Sequence, residues 1–387
     1  MRSLVRVSLV SLCLARFAAA PPAAAQEEKP ISPDSVSRAP ALSLFDEDPS
    51  RRLLITGFGV GTYGYGFHTG SSSFGDSVLA VAFSKVVTNH LSVFAQLTAS
   101  RLPDSPFASE ASGGDIATDI DNLQLTWVVS ARSGLDVTFG KFDSPLAIER
   151  DDAPLNFQAT GSFTFQFARP VKFVGVQVHE AVSPSFDVWA ILANGWDVDR
   201  DNNKAKTFAL YGLWSPSLAS HVGLGVIYGG EKDNRTGDPR ATAVATLLFQ
   251  PTASWVWGGE GVFGREPHSS KDGGTAEWYA GMLFTHHRFG PHWGLTLRGD
   301  YCDDRDGSRT GQGQILRSLT VSPQYLIGGG FYGIFRYLDR TTLKLPEVVV
   351  RLDLRYDRSS QPVFRSRDPE AARRDNSSAT LQTVFLF

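Results

Sequence analysis

Acids and bases alternate at a spacing of two in two stretches of this chain: Arg298 and Asp300 within 293–301, and Arg351, Asp353 and Arg355 within 348–357. Residues two apart on an extended strand share a face. Each run therefore puts its charges on one side, and residues such as Leu295, Leu297, Leu352 and Leu354 on the other. Charges lining a confined aqueous space would sort solutes by sign; the plainer reading is a set of mutually paired wall charges. The stretch 144–170 adds Glu149, Arg150, Asp151 and Asp152, followed by Phe163, Phe165 and Phe167. A connection of this length is usually functional or disordered. The expectation is that it folds inward as a constriction, its carboxylates facing the basic ladder; the alternative is a cap or a subunit contact.

Other candidate chemistry is weaker. Asp197, Asp199, Asp201 and Asn203 have the alternating spacing of a calcium loop. Asn202 stands where that motif wants Gly, however, and Phe208 where it wants Glu, so a solvated acidic loop is the favoured reading. His286 and His287 are adjacent, so on a strand they point to opposite faces and cannot chelate one ion. Neither a G-x-S-x-G elbow nor an H-E-x-x-H helix is present, and the Ser220–His221 dipeptide reads as part of a turn. Catalysis is unsupported and no cofactor is expected. A net charge of -3 argues against nucleic acid as a partner.

The elements that must carry these residues are strands. Leu91, Val93, Ala95, Leu97 and Ala99 oppose Ser92, Gln96, Thr98 and Ser100; Leu123, Leu125, Trp127 and Val129 oppose Asn122, Gln124 and Thr126. The pattern recurs from residue 51 to the carboxyl end in segments of about 10 residues, the length needed to cross hydrocarbon at a tilt. Short connections at 87–89, 132–134, 182–185, 215–217, 251–253 and 290–292 alternate with long ones, among them 144–170, 197–204 and 358–377. That rhythm, aromatic-rich (26 Phe, 10 Tyr, 8 Trp) with a mean hydropathy of -0.13, predicts an all-β, transmembrane, antiparallel up-and-down β-barrel of roughly 16 strands, within a range of about 14–18. Trp127, Trp214, Trp255, Trp257, Trp278 and Trp293 are expected in the aromatic girdles at the two lipid interfaces. One place breaks the rhythm: 327–346 should be a short turn, yet Phe331–Leu338 could itself be a strand, and we treat it as an insertion.

Residues 1–25 read as a cleaved signal peptide: Arg2 and Arg6, an apolar run, then Ala23-Ala24-Ala25. Residues 26–50 read as a mostly disordered periplasmic lead-in, and 51–387 as the barrel. Only Cys302 remains after cleavage, which excludes a disulfide framework. The chain ends Val384-Phe385-Leu386-Phe387, and the terminal Phe387 resembles the signal read by the outer-membrane barrel assembly machinery.

Several strings are similar to those of the OmpL-like family of bacterial beta-barrel porins. They are Phe139-Gly140-Lys141-Phe142 with Pro145 and Glu149, Asn194-Gly195-Trp196-Asp197 with Asp201-Asn202-Asn203, Asp306-Gly307-Ser308-Arg309-Thr310-Gly311, and Arg355-Tyr356-Asp357-Arg358-Ser359-Ser360. The resemblance implies an outer-membrane porin and names no solute. The expected function is passive diffusion of small hydrophilic solutes or ions through a water-filled channel. The alternatives are a non-conducting structural or adhesive barrel in the outer membrane and a barrel-borne hydrolase. Expected partners are outer-membrane lipid, the assembly machinery and the solutes themselves, with a homotrimer suggested by analogy of size alone.

Overall fold

A strand that is apolar on one side and polar on the other can lie in hydrocarbon only if its sheet closes, because any free edge would leave peptide groups without partners. The computed structural model describes residues 42–44, 53–101, 116–145, 147–217, 219–328, 347–368 and 370–387. A short β1 (Leu42–Leu44) precedes sixteen long strands: β2 (Leu53–Gly66), β3 (Ser72–Thr88), β4 (Leu91–Arg101), β5 (Ile116–Ser130), β6 (Leu135–Asp143), β7 (Lys172–Ser183), β8 (Phe186–Ala193), β9 (Thr207–Ser217), β10 (Ser220–Gly230), β11 (Pro239–Thr252), β12 (Trp255–Glu266), β13 (Ala276–Phe289), β14 (Trp293–Asp304), β15 (Gln314–Ile327), β16 (Val348–Ser359) and β17 (Asp375–Leu386). Each pairs antiparallel with the next, and β17 pairs with β2, from Ser378↔Gly66 to Leu386↔Phe58, closing the barrel.

The outer face is what lipid demands. Leu210, Leu224, Leu247, Leu283, Leu297, Leu319 and Leu354 all point outward. Outward Trp127, Trp214, Trp257 and Trp293 lie beside the short turns, and outward Phe208, Tyr228, Tyr279, Tyr301 and Tyr356 beside the long loops, forming two aromatic girdles. Trp278 departs from the expected girdle. It faces inward and is fully buried, because Ala276, Trp278 and Ala280 share the inner face while Glu277 and Tyr279 hold the outer one. Gly264 on the neighbouring strand makes room for it; a Cβ there would lie 2.0 Å from the indole.

Two further differences concern the ends of the strands. β1 lies within the expected lead-in and pairs with the start of β2, where β17 has already ended. β15 pairs directly with β16 from Leu316↔Ser359 to Ile327↔Val348, so the strands on either side of 328–347 are neighbours in the barrel. Residues 1–25, the rest of 26–50 and Phe331–Leu338 lie outside the described residues, and so do the expectations placed on them.

The outer face gives a direct test. Leu283, 71% exposed near the middle of β13, marks the apolar belt. Leu283→Arg is expected to destabilise the folded barrel in lipid vesicles by about 2–4 kcal/mol, read from reversible urea unfolding; no loss would place this face outside hydrocarbon.

Candidate functional site

A peptide segment inside a barrel has no neighbouring strand to bond, so its carbonyls and amides need partners from the wall. The loop 144–170, between β6 and β7, takes this path. Its own local structure among the described residues is slight: one 3-10 turn, Ala153–Leu155, with Pro154 at its second position, and one π turn, Thr164–Ala168. The rest leans on side chains of the inner wall and on contacts within the loop, among them Asn156 with Arg150 and Ser162 with Glu149.

The charged ladder supplies them. Arg298 on β14 donates to the Thr160 carbonyl at 2.6 Å and pairs with Glu149 at 2.5 Å. Arg351 on β16 donates to the Asn156 carbonyl at 2.6 Å, and Arg355 to that of Gly161 at 2.6 Å. The acids receive the loop's donors. Asp353 accepts from the Thr160 amide at 2.9 Å and hydroxyl at 2.7 Å, and Asp300 from the Phe163 amide at 3.1 Å. A planar guanidinium presents several donors in a fixed fork, which suits irregular backbone better than an ammonium would.

Each of these five residues also has a partner on the wall. Arg298 reaches Asp300 at 3.2 Å, Arg355 reaches Asp357 at 2.6 Å, and Arg351 donates to Gln382 at 2.7 Å. Arg298, Arg351 and Asp353 are all buried to 1% exposure or less. The structure thus brings the five ladder residues together with the loop, in contact with peptide groups and not with open water.

Two apolar anchors complete the docking. Phe157 stacks on His286 at 4.3 Å and packs on Phe284, while Phe163 lies beneath the Arg355 guanidinium at 4.8 Å. Trp278 donates from its indole nitrogen to the Ala168 carbonyl at 3.0 Å. Arg169 forms a buried ion pair with Glu260, whose other oxygen accepts from the Ile148 amide at 2.9 Å.

The four loop charges divide between the walls. Glu149 pairs with Arg298 on the basic ladder, and Arg150 braces the loop itself, reaching the Ser144 and Pro145 carbonyls. Asp151 and Asp152 face the opposite way. Asp151 pairs with Lys172 at 2.7 Å, and Asp152 accepts from Gln96 at 2.7 Å. Lys172 also holds Asp121 at 3.1 Å and Asp143 at 2.9 Å, so three carboxylates surround one ammonium. This cluster sits where β5 and β6 part, since their pairing ends at Leu123↔Lys141 while β5 continues with β4 up to Ile116. Gly140, at φ +127, turns the β6 backbone there; a Cβ would strike the Leu123 carbonyl at 1.9 Å.

Lys141 entered the sequence reading only within the string Phe139-Gly140-Lys141-Phe142, and Lys172 did not enter it. A second polar group was also missed: His179 lies between Asp136 at 2.9 Å and Asp187 at 3.2 Å, its ring stacked on Trp189 at 4.7 Å. Its only sequence signal is the shared inner face of β6, β7 and β8.

The weak calcium candidates do not converge. Asp197 accepts the Val171 and Lys172 amides, each at 2.8 Å, Asp199 pairs with Lys141 at 3.1 Å, and Asp201 pairs with Lys206. Burial raises the Asp197 pKa and the Lys206 hydrogen bond lowers that of Asp201, so the two carboxyls occupy opposite environments. His286 and His287 do point to opposite faces, but His286 is inside the barrel against Phe157 and Thr296, not at the lipid interface.

A closed barrel of sixteen strands with a long loop docked against a charged inner wall is the architecture of a porin. The chain belongs to the family described as "Putative beta-barrel porin-2, OmpL-like", whose model matches residues 74–387. Among curated proteins, none matches the sequence. Among solved structures the chain is similar to an anion-selective porin from Comamonas acidovorans (12% identity, 87% of this chain and 99% of that one, TM-score 0.57). It is similar also to Salmonella typhi OmpF in complex with daunomycin (9%, 89% and 100%, 0.57) and to in-vitro folded OmpT of Vibrio cholerae (11%, 88% and 99%, 0.55). At these identities the likeness is one of fold.

The docked loop has a built-in response to pH. Burial, then the carboxylates of Asp151, Asp143 and Asp121, push Asp152 up to about 8 from an ordinary 3.8. The docked state therefore keeps a proton that a released loop would lose, so docking weakens as pH rises from about 4 to about 8 and strengthens on acidification. Proteinase K cleavage within 144–170 is expected to accelerate between pH 5 and pH 8 relative to cleavage elsewhere, and Asp152→Asn to flatten that dependence. An equal slope in the variant would remove Asp152 from the docking.

Proposed function

We propose that the chain is an outer-membrane porin, admitting small hydrophilic solutes and ions by passive diffusion past the docked loop 144–170. The observation that carries this reading is the inner wall itself. Sixteen strands enclose an interior wide enough for an aqueous channel, its wall is charged along β14 and β16, and a loop bound to that wall narrows it. Arg298, Asp300, Arg351, Asp353 and Arg355 serve in this reading as the frame that holds the constriction, with Glu149 as its principal charged partner on the loop.

The remaining partners follow from the two faces. Lipid covers the Leu-rich belt and the girdles. The assembly machinery reads the last strand: the amide and carbonyl of Phe387 bond Gly57 at 3.0 and 2.8 Å, setting the aromatic carboxyl terminus at the β17–β2 seam beside the short turns. The signal peptide delivers the chain across the inner membrane and is removed. A homotrimer is part of the proposal on size alone.

Purified protein reconstituted into planar bilayers is expected to give discrete, ohmic single-channel steps. Stable insertion without current would instead favour the structural or adhesive barrel, and turnover of an ester or glycoside by pure protein would favour a hydrolase.

A further inference from the structure

Resting on the porin reading, we propose that this pore prefers cations, and that the preference is set by the carboxylates around Lys141, Lys172 and His179 rather than by the arginines of the ladder. The arginines come first, because an unopposed basic ladder would draw anions. Here each ladder guanidinium is already answered. Arg298 holds Glu149 and Asp300, and Arg355 holds Asp357, while Asp353 has no guanidinium partner and is met by the Thr160 and Ser322 hydroxyls and an amide. Three guanidiniums thus face four carboxylates, and the guanidiniums spend their remaining donors on loop carbonyls. That wall offers no positive excess to a passing ion.

The opposite wall is acidic. At the parting of β5 and β6, Lys172 is outnumbered by Asp121, Asp143 and Asp151, which lie 3.1, 2.9 and 2.7 Å from its nitrogen. Nearby, Lys141 is shared by Asp119 at 2.8 Å and Asp199 at 3.1 Å. A cavity of about 280 Å³ opens between the two ammoniums, lined by Asp119, Lys141, Asp151, Lys172 and Asp199 among others, so these charges meet solvent. Nearer the short turns, Asp136 and Asp187 flank His179 on the inner face, and all three side chains keep between 17% and 25% of their exposure. Even a protonated imidazole leaves one negative charge there. Within these clusters carboxylates outnumber cationic groups, and carboxylates confined beside a channel raise the local concentration of cations.

The test is the reversal potential in planar bilayers under a tenfold potassium chloride gradient, with single-channel conductance recorded on the same insertions. Wild type is expected to reverse on the cation side, with potassium favoured over chloride by about threefold or more. The Asp119→Asn/Asp187→Asn/Asp199→Asn variant is expected to lose at least half of that ratio, and Lys141→Gln to raise it. Migration shift on heating in dodecyl sulphate verifies that each variant is a folded barrel. Wild-type current that is unselective or anion-preferring would overturn the proposal while leaving the pore intact, as would an unchanged ratio in both variants. Absence of any current would overturn the pore and the preference together.

Discussion

Peptide groups taken out of water must be bonded, and in this barrel that requirement acts twice. In the wall it closes sixteen strands into a ring, because hydrocarbon offers no hydrogen bonds to a free edge. Inside, it falls on the loop 144–170, which has only one short turn of each of two helix types to satisfy itself. The inner wall answers with Arg298, Arg351 and Arg355 for the carbonyls and with Asp300 and Asp353 for the amides. The loop's seat, and with it the shape of the interior, depends on those bonds. They are charge-assisted, which makes them stronger than hydrogen bonds between neutral groups, and removal of one partner would leave a buried charge uncompensated.

In the proposed pore, that arrangement also decides which charges a solute would meet. A guanidinium that serves a loop carbonyl and a neighbouring carboxylate is a structural part, whatever its formal charge. The exposed charges lie instead on the side where the loop departs from β6, around Lys172, Lys141 and His179. In the proposed pore the two walls divide the work, one holding the loop and the other presenting charge to water.

Much of this was legible in the sequence, for a definite reason. Period-two alternation reports a residue's face with no knowledge of its neighbours, so the outward Leu297 and Leu354 and the inward Arg351 and Asp353 could be read directly. The rhythm of short and long connections gave the strand number in the same local way. Trp278 was misplaced because β13 carries aromatics on both faces, Trp278 inside and Tyr279 outside, and alternation alone does not say which face meets lipid. What joins the loop to the wall was not legible at all: Glu149 and Arg298 are 149 residues apart, and their meeting depends on the register of every strand between them. The calcium spacing at Asp197, Asp199 and Asp201 misled for the same reason, since their partners Lys172, Lys141 and Lys206 come from elsewhere in the fold or from the far side of the same loop.

The central claim is that the docked loop narrows the lumen. Replacing residues 150–163 with a short Gly-Ser bridge in an otherwise intact barrel, and comparing single-channel conductance with wild type at equal salt, tests it most directly. The account predicts a conductance at least about twofold larger, since an unobstructed barrel of this strand number leaves an aqueous channel. An equal or smaller conductance in a folded barrel would contradict it.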